Sequence, residues 1–434
     1  MRRLIEGECS MNRRKLTAAS TVVACATAAA LMATAAPATA GPWDAVRSWE
    51  TATVKRVVDG DTLIVNDEVT GVESRIRLLG INAPEITTSA HAGQCGGALG
   101  RKTMKSLAPV GTRVRLAAVD QTSKGKSARP QRVVLAFNPA TGEFDQDLGW
   151  AMAERGLGVW FTVPKEAAMS SLYREAIAGA QSRGVGIWNP NLCRQALQPE
   201  AVLSLRIGRT APGGKVADEW VSVRNTGAST VDISGWLLRD SGLQGWYTFP
   251  GGSILTPGDY RVVHTGSGTP GLPDGHDVYA GAKARLYQDV GTGPALVGDG
   301  AYLLDAAKNF RFWREYPCTA TCDGDPLAAS LVIDAVSVGQ GKGAARAATQ
   351  WVRLANKGAT EACLDGVRLD TGAKVYRFAP GTCIPAGGIW TLNVRKGAAT
   401  PTEAYWGLTE PALWASGTAR LISDRDQVIA TGSW

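Results

Sequence analysis

Apolar side chains follow three different rhythms along this chain. Residues 16–36 are apolar or small and uncharged. From 51 to 137, short runs alternate apolar and polar positions. Segments 53–58, 62–66, 74–79, 113–119 and 132–137 are each predicted to be a strand with one buried face. Apolar residues return at helical spacing over 96–107, near 145–156 and over 166–183. The order is strands, helix, strands, then two helices, which fits a small barrel with helices packed on it. Pro190 and Pro199 bracket a linker. Beyond it the helix signals fade, and Gly, Pro and short strand-like runs dominate.

That second half repeats itself. Glu219-Trp220-Val221-Ser222-Val223-Arg224-Asn225-Thr226-Gly227 corresponds to Gln350-Trp351-Val352-Arg353-Leu354-Ala355-Asn356-Lys357-Gly358. Tyr247-Thr248-Phe249 corresponds to Tyr376-Arg377-Phe378, and Gly300-Ala301-Tyr302-Leu303-Leu304 to Gly417-Thr418-Ala419-Arg420-Leu421. Strand-like runs about 8–12 residues apart predict two tandem β-sandwiches, over 200–316 and 329–434. Asn225-Thr226-Gly227 and Asn356-Lys357-Gly358 read as turns.

Arg13, Arg14 and Lys15, the apolar run after them and Ala38-Thr39-Ala40 together predict a signal peptide over 1–40 and a secreted protein. No later stretch is apolar long enough to span a bilayer. Of eight cysteines, Cys9 and Cys25 fall in that leader. The remaining six suggest disulfides in an exported protein. Pairing within modules gives Cys95–Cys193, Cys318–Cys322 and Cys363–Cys383. The net charge of +7 is uneven: residues 41–199 carry 19 Lys/Arg against 15 Asp/Glu, and residues 200–434 carry 22 of each. The first module is therefore the better candidate for a polyanionic partner.

Acids and arginines gather at turns between 59 and 85. Asp59-Gly60-Asp61-Thr62 sets two carboxylates around a glycine between strands. Arg75 and Arg77 share one strand face, opposite Ile76 and Leu78. Asn82-Ala83-Pro84-Glu85 ends that strand, where Pro84 stops its pairing. Hard cations need clustered oxygen ligands, and phosphoryl transfer needs a metal, arginines and a positioned base. This segment offers all three, although Asp-Gly is also ordinary hairpin chemistry.

Val57-Val58-Asp59-Gly60-Asp61-Thr62 and Arg77-Leu78-Leu79-Gly80-Ile81-Asn82-Ala83-Pro84-Glu85 resemble the paired signature of staphylococcal nuclease homologues. The resemblance continues through Arg132-Val133-Val134-Leu135-Ala136, through 148–158, and to Gly186-Ile187-Trp188. It implies an α+β fold over 45–195, an OB barrel of five strands with three helices. It further implies Ca²⁺ held by Asp61, by the residue at Asn82 and by the Ala83 carbonyl. Glu85 would activate water, and Arg77 and Arg132 would bind phosphate, with Asp59 near the metal but not a ligand. The implied reaction is phosphodiester hydrolysis of DNA and RNA to 3′-phosphate products by a monomeric enzyme. Where the family has a second metal-binding aspartate this chain has Asn82, which coordinates without charge and predicts a looser site. Arg129, in the basic loop 121–131 with Lys124 and Lys126, is the alternative to Arg132. Trp188 is predicted to be core. Trp160 and Phe161 are either core or a base-stacking platform, and His91 is a loop histidine near the site.

Trp220-Val221-Ser222-Val223-Arg224-Asn225-Thr226-Gly227, Leu237-Leu238-Arg239-Asp240, Phe249 and Ile254-Leu255-Thr256-Pro257-Gly258 resemble lamin-tail domains, which are all-β Ig-like sandwiches. The second copy resembles them through Val352–Gly358, Phe378 and Ala386-Gly387. The expected roles are tethering, spacing, or binding at the cell surface or envelope or to nucleic acid, and zero net charge gives the last no electrostatic support. The alternative to a nuclease is a protein that only binds nucleic acid or an envelope polymer.

Overall fold

The computed structural model describes residues 42–434 except 90–91, 125–128, 211–213, 244–246, 270–274, 288–297 and 319–321. The expected leader with Cys9 and Cys25, His91 and Lys126 all lie outside the described residues.

Strand β1 (Ser48–Val57) is antiparallel to both β2 (Thr62–Asp67) and β5 (Arg113–Ala118). β2 pairs with β3 (Glu73–Leu78), and β5 with β6 (Gln131–Asn138). β3 and β6 then meet in parallel at Arg77↔Gln131 and Leu78↔Arg132, which closes five strands into a ring. Closure is partial: it covers the start of β6, and β7 covers the later part of that edge. A bulge between Val54 and Arg56 bends β1. It moves the next inward residue from 56 to Val57, which is why the run Val54-Lys55-Arg56-Val57 departs from strict alternation. A short pair, β4 (Ile81–Asn82) with β8 (Val159–Trp160), lies beside the ring.

Helices α1 (Gly97–Leu107), α2 (Leu148–Glu154) and α3 (Ala167–Arg183) cover the barrel. Met104, Leu148, Met152, Tyr173 and Ile177 join barrel residues such as Val54, Leu63, Ile76 and Val134 in one core. The helix expected over 145–156 starts later, because β7 (Glu143–Asp147) pairs with β6 first. β7 reads Glu-Phe-Asp-Gln-Asp and is mostly exposed. An acidic strand at a sheet edge carries no apolar alternation. Asp147 caps α2 by accepting from the Trp150 amide.

After the barrel, β9 (Leu203–Gly208), β10 (Trp220–Asn225), β15 (Tyr260–His264) and β16 (Asp277–Tyr279) form one four-stranded sheet in the order β16-β15-β10-β9. β12 (Leu237–Arg239), β13 (Tyr247–Thr248), β17 (Asp299–Leu304) and β18 (Phe310–Tyr316) form the facing sheet, in the order β13-β12-β17-β18. Between them in the chain, β11 (Val231–Asp232) and β14 (Ile254–Leu255) make a separate short antiparallel pair. The segments 331–338, 350–356, 389–393 and 403–405 repeat the first sheet, and 368–370, 375–377, 418–422 and 428–433 repeat the second, in the same orders. Asn225 and Asn356 are equivalent in the two copies. Each accepts from the glycine two residues on and donates to a carbonyl of a neighbouring strand, Leu255 or Ile384. These motifs are turns, as the sequence suggests, and also buried clamps. Cys95 is joined to Cys193, Cys318 to Cys322 and Cys363 to Cys383, the expected pairing. Among the described residues no helix is long and apolar enough to cross a membrane.

The two sandwiches and the barrel are not beads on a string; residues 41–434 form one compact unit. Successive residues of a strand face opposite ways. Leu238 and Leu303 point into the first sandwich, whereas Tyr302 and Leu304 pack into the barrel core with Leu243 and Phe310. Trp188, at 2% exposure, lies against Tyr302, Phe310 and Trp313 with ring centroids 6.1, 5.3 and 4.9 Å away. It is core, as expected.

The second sandwich is held to the first by a buried ionic network. Arg206 and Arg314 each contact both Asp325 and Asp424. Burial opposes ionisation of Asp424, but the two guanidiniums outweigh it and hold its carboxyl well below the usual carboxylate range. A depressed carboxylate pKa contributes stability above the unfolded value, near pH 4, and that contribution is lost as pH falls further. Asp424→Asn should cost about 3 kcal/mol, because it strands buried guanidiniums. It should also flatten the acid limb of stability against pH, as measured by urea denaturation between pH 7 and pH 3.

Candidate active site

The turn from β2 back to β1 and the segment after β3 are pressed together at one end of the barrel. Gly60 is required there, since a Cβ would lie 2.8 Å from that of Ala83. Gly80 has φ +76°, and the Tyr173 ring fills the place of its missing side chain at 1.7 Å. α3 thus fixes the path of residues 80–83.

Four predicted residues converge in this corner. Asp61 Oδ2 accepts from the Ala83 amide at 2.6 Å and pairs with Arg77 Nη2 at 3.0 Å. The same Nη2 donates to Asn82 Oδ1 at 2.7 Å, while Nη1 donates to the Leu78 and Ile81 carbonyls. Asp59 Oδ1 accepts from the Asp61 amide, and Thr62 Oγ1 donates to Asp61 Oδ1. Asp59, Asp61, Arg77 and Asn82 are all buried. Burial drives the Asp61 pKa up to about 7; Arg77 opposes that rise, and Asp59 adds to it. Two buried carboxylates, Asp59 and Asp61, thus lie beside one guanidinium. Asp61 Oδ2 and Asn82 Oδ1 both converge on Arg77 Nη2, so in this structure the guanidinium holds together the two side-chain oxygens that a hard cation would need. Phe161 is half-buried, with its ring 5.8 Å from the Arg77 guanidinium. Trp160 is buried under Arg174 at 3.8 Å.

Glu85 and Arg132 stand apart from this cluster. The Glu85 side chain is exposed, although its backbone is held: its amide donates to Gln94 Oε1 at 3.0 Å, and its carbonyl accepts from the Gln94 amide. Arg132 is buried one register step along from the Arg77↔Gln131 pair. Its guanidinium donates to the Gln121, Ser123 and Gln131 carbonyls and lies 3.5 Å from Glu50. Buried Glu166, at the start of α3, holds that loop by accepting from Val119, Asp120 and Ser123. Among the described contacts none joins Arg132 to Arg77. Arg129 is half-buried and Lys124 exposed in the same loop.

The first sandwich contributes residues that the motif does not reveal. Asn82 Nδ2 donates to the Ser241 carbonyl at 2.8 Å, and Gln94 Nε2 donates to the Leu243 carbonyl at 3.2 Å. The Ser241 amide donates to Asp299 Oδ1 at 3.2 Å. Burial, reinforced by neighbouring Asp240, pushes the Asp299 pKa up to about 8. No local sequence signal could have found Ser241, because it lies 159 residues from Asn82.

Comparison with known proteins bears on the barrel and on the first sandwich. The chain is similar to a thermonuclease of Staphylococcus intermedius, 30% identical over 140 residues that cover 32% of this chain and 76% of that protein. The family model described as Lamin Tail Domain matches residues 198–317.

Asn82 satisfies a donor demand and an acceptor demand at once. Asn82→Ala should cost about 1–3 kcal/mol, because it removes partners from a buried guanidinium and a buried carbonyl. Asn82→Asp should keep the Arg77 contact but set a carboxylate against the Ser241 carbonyl. Hydrogen exchange should then accelerate at Gln94, Ser241 and Leu243, while the strands of the barrel stay protected.

Proposed function

The chain belongs to the thermonuclease family, and on that footing we propose that it is a secreted, calcium-dependent nuclease built on an OB-fold barrel of five strands with three helices. It hydrolyses phosphodiester bonds of DNA and RNA and leaves 3′-phosphate ends. The observation that carries this reading is the buried convergence of Asp61, Arg77 and Asn82 beside the Ala83–Glu85 turn. Three disulfide pairs support export to an oxidising compartment, where calcium is plentiful.

Asp61, Asn82 and the Ala83 carbonyl would hold Ca²⁺, which when bound supplies Lewis-acid polarisation of a phosphate oxygen and a site for water. Glu85, with its backbone pinned and its carboxylate exposed, takes the proton from the attacking water. The Arg77 fork is taken up by four acceptors, Asp61, Asn82 and the Leu78 and Ile81 carbonyls, and on this reading a substrate phosphate takes the place of some of them. Arg132 rests on three carbonyls with Glu50 3.5 Å away, and an anionic phosphodiester is a stronger acceptor for its guanidinium than those carbonyls. Both stabilise the charge that grows on the equatorial oxygens.

The test is digestion of single-stranded DNA by the purified protein in millimolar CaCl₂ and in EDTA. Cleavage should require calcium. Glu85→Gln and Arg77→Ala should each lower kcat about 100-fold or more, if removal of one oxyanion-type donor is the guide. Asn82→Asp should tighten calcium binding by adding a ligand charge. If no product forms in Ca²⁺, Mg²⁺ or Mn²⁺, the binding-protein reading replaces this one.

A further inference from the structure

A cavity of about 260 Å³ lies where the first sandwich meets the loop that follows Glu85. Pro84, Gly93 and Gln94 form its barrel side, and Leu237, Arg239 and Lys308 line its sandwich side. Gln94 ties the two together, since it accepts from the Glu85 amide and donates to the Leu243 carbonyl. The cavity is thus one residue from the proposed general base along the chain, and it shares a hydrogen-bonded wall with it.

Two cations face this space, and no carboxylate is among the described residues that line it. Arg239 pairs with Tyr302 in the sheet, on the face turned to the barrel. It is 8% exposed, and its Nε is buried without a hydrogen-bond partner. Among the described residues no carboxylate lies within ion-pair distance of it. Asp240, next in sequence, only partly offsets the cost of burying it. Lys308 is at the mouth. Burial lowers its pKa, Arg239 lowers it further, and Asp305 opposes. A buried guanidinium with an unmet donor is costly, and two like charges at one cavity add to that cost. An arriving anion relieves both.

We propose that Arg239 and Lys308 form a phosphate-binding subsite through which the first sandwich grips the substrate strand, taking a backbone phosphate of single-stranded nucleic acid that crosses the Pro84–Glu85 turn. This rests on the nuclease reading above and extends it: the sandwich is part of the substrate site, not a spacer. The cavity is small on the scale of ligand pockets, which suits one phosphate and its sugar and excludes a duplex. Arg239 provides forked donors at the base, and Lys308 a mobile point charge at the rim.

The experiment uses the full chain carrying Glu85→Gln, in EDTA, so that no turnover intrudes. Binding of a short fluorescent single-stranded oligodeoxynucleotide is followed by anisotropy across a range of NaCl concentrations. Arg239→Gln should weaken binding about tenfold or more, the loss expected for a hydrogen bond to a charged group. It should also lower the slope of log K against log [NaCl] by about 0.7, the change expected when one phosphate of a single strand is no longer neutralised. A purely structural role would not move that slope. Arg239→Lys should restore the slope but not the full affinity. Lys308→Gln, at the rim of the cavity, should weaken binding in the same direction. In the calcium-loaded wild-type background, both glutamine variants should raise KM far more than they lower kcat. Folded variants with unaltered affinity and slope overturn the subsite, even where calcium-dependent cleavage stands. If Arg239→Gln fails to fold, Lys308→Gln alone decides. A wild type that binds with an Arg239-dependent slope yet never cleaves would retain the subsite and refute the nuclease.

Discussion

Trp188 closes the barrel and opens the sandwich. Its indole is packed against the barrel core on one side and against Tyr302, Phe310 and Trp313 on the other. The outer face of a β-sandwich is ordinarily polar, because it meets water. Here β17 buries both faces, Leu303 inward and Tyr302 and Leu304 outward. A sheet apolar on both sides must be covered on both sides, and the barrel is the cover. The path of residues 239–243 across the end of the barrel follows from that docking.

Much of the barrel is legible because its signals are local. Alternation over 74–79 and 132–137, and the Asp-Gly turn at 59–61, need only neighbouring residues to be read. The strands that carry these signals are the ones that assemble, and the hydrogen bond from the Ala83 amide to the Asp61 carboxylate joins two separated motifs in one corner. β7 is not legible, because an exposed acidic edge strand looks like the start of a helix: its last residue, Asp147, is the cap of α2. In the same way, the repeat Gly300–Leu304 and Gly417–Leu421 marks equivalent strands but says nothing about their outer faces. The outward neighbours of Tyr302 and Leu304 belong to another part of the chain, and pairing at that distance leaves no periodic trace.

The ionic contacts divide along the same line. Arg206 and Arg314 look like ordinary strand residues in sequence, yet they share two buried aspartates, Asp325 and Asp424. Net charge over 200–434 is zero, and much of that balance is taken up by such internal pairs. The absence of net charge there conceals a local concentration of cations on the barrel-facing surface. A sum over the whole second half averages away the two that matter at a single cavity.

Asn82 brings these strands of argument together. Resemblance alone makes it a lost carboxylate and a weakened metal site. In the structure its amide does what a carboxylate cannot, accepting from Arg77 and donating to the Ser241 carbonyl at once. An aspartate in its place would face that carbonyl oxygen with a second acceptor. The amide at position 82 and the docked sandwich therefore suit one another. A barrel covered at this corner by another domain needs a donor where an uncovered one is free to keep a charge. Asp59 and Asp61 remain as the two buried carboxylates of the corner, one of them paired with Arg77.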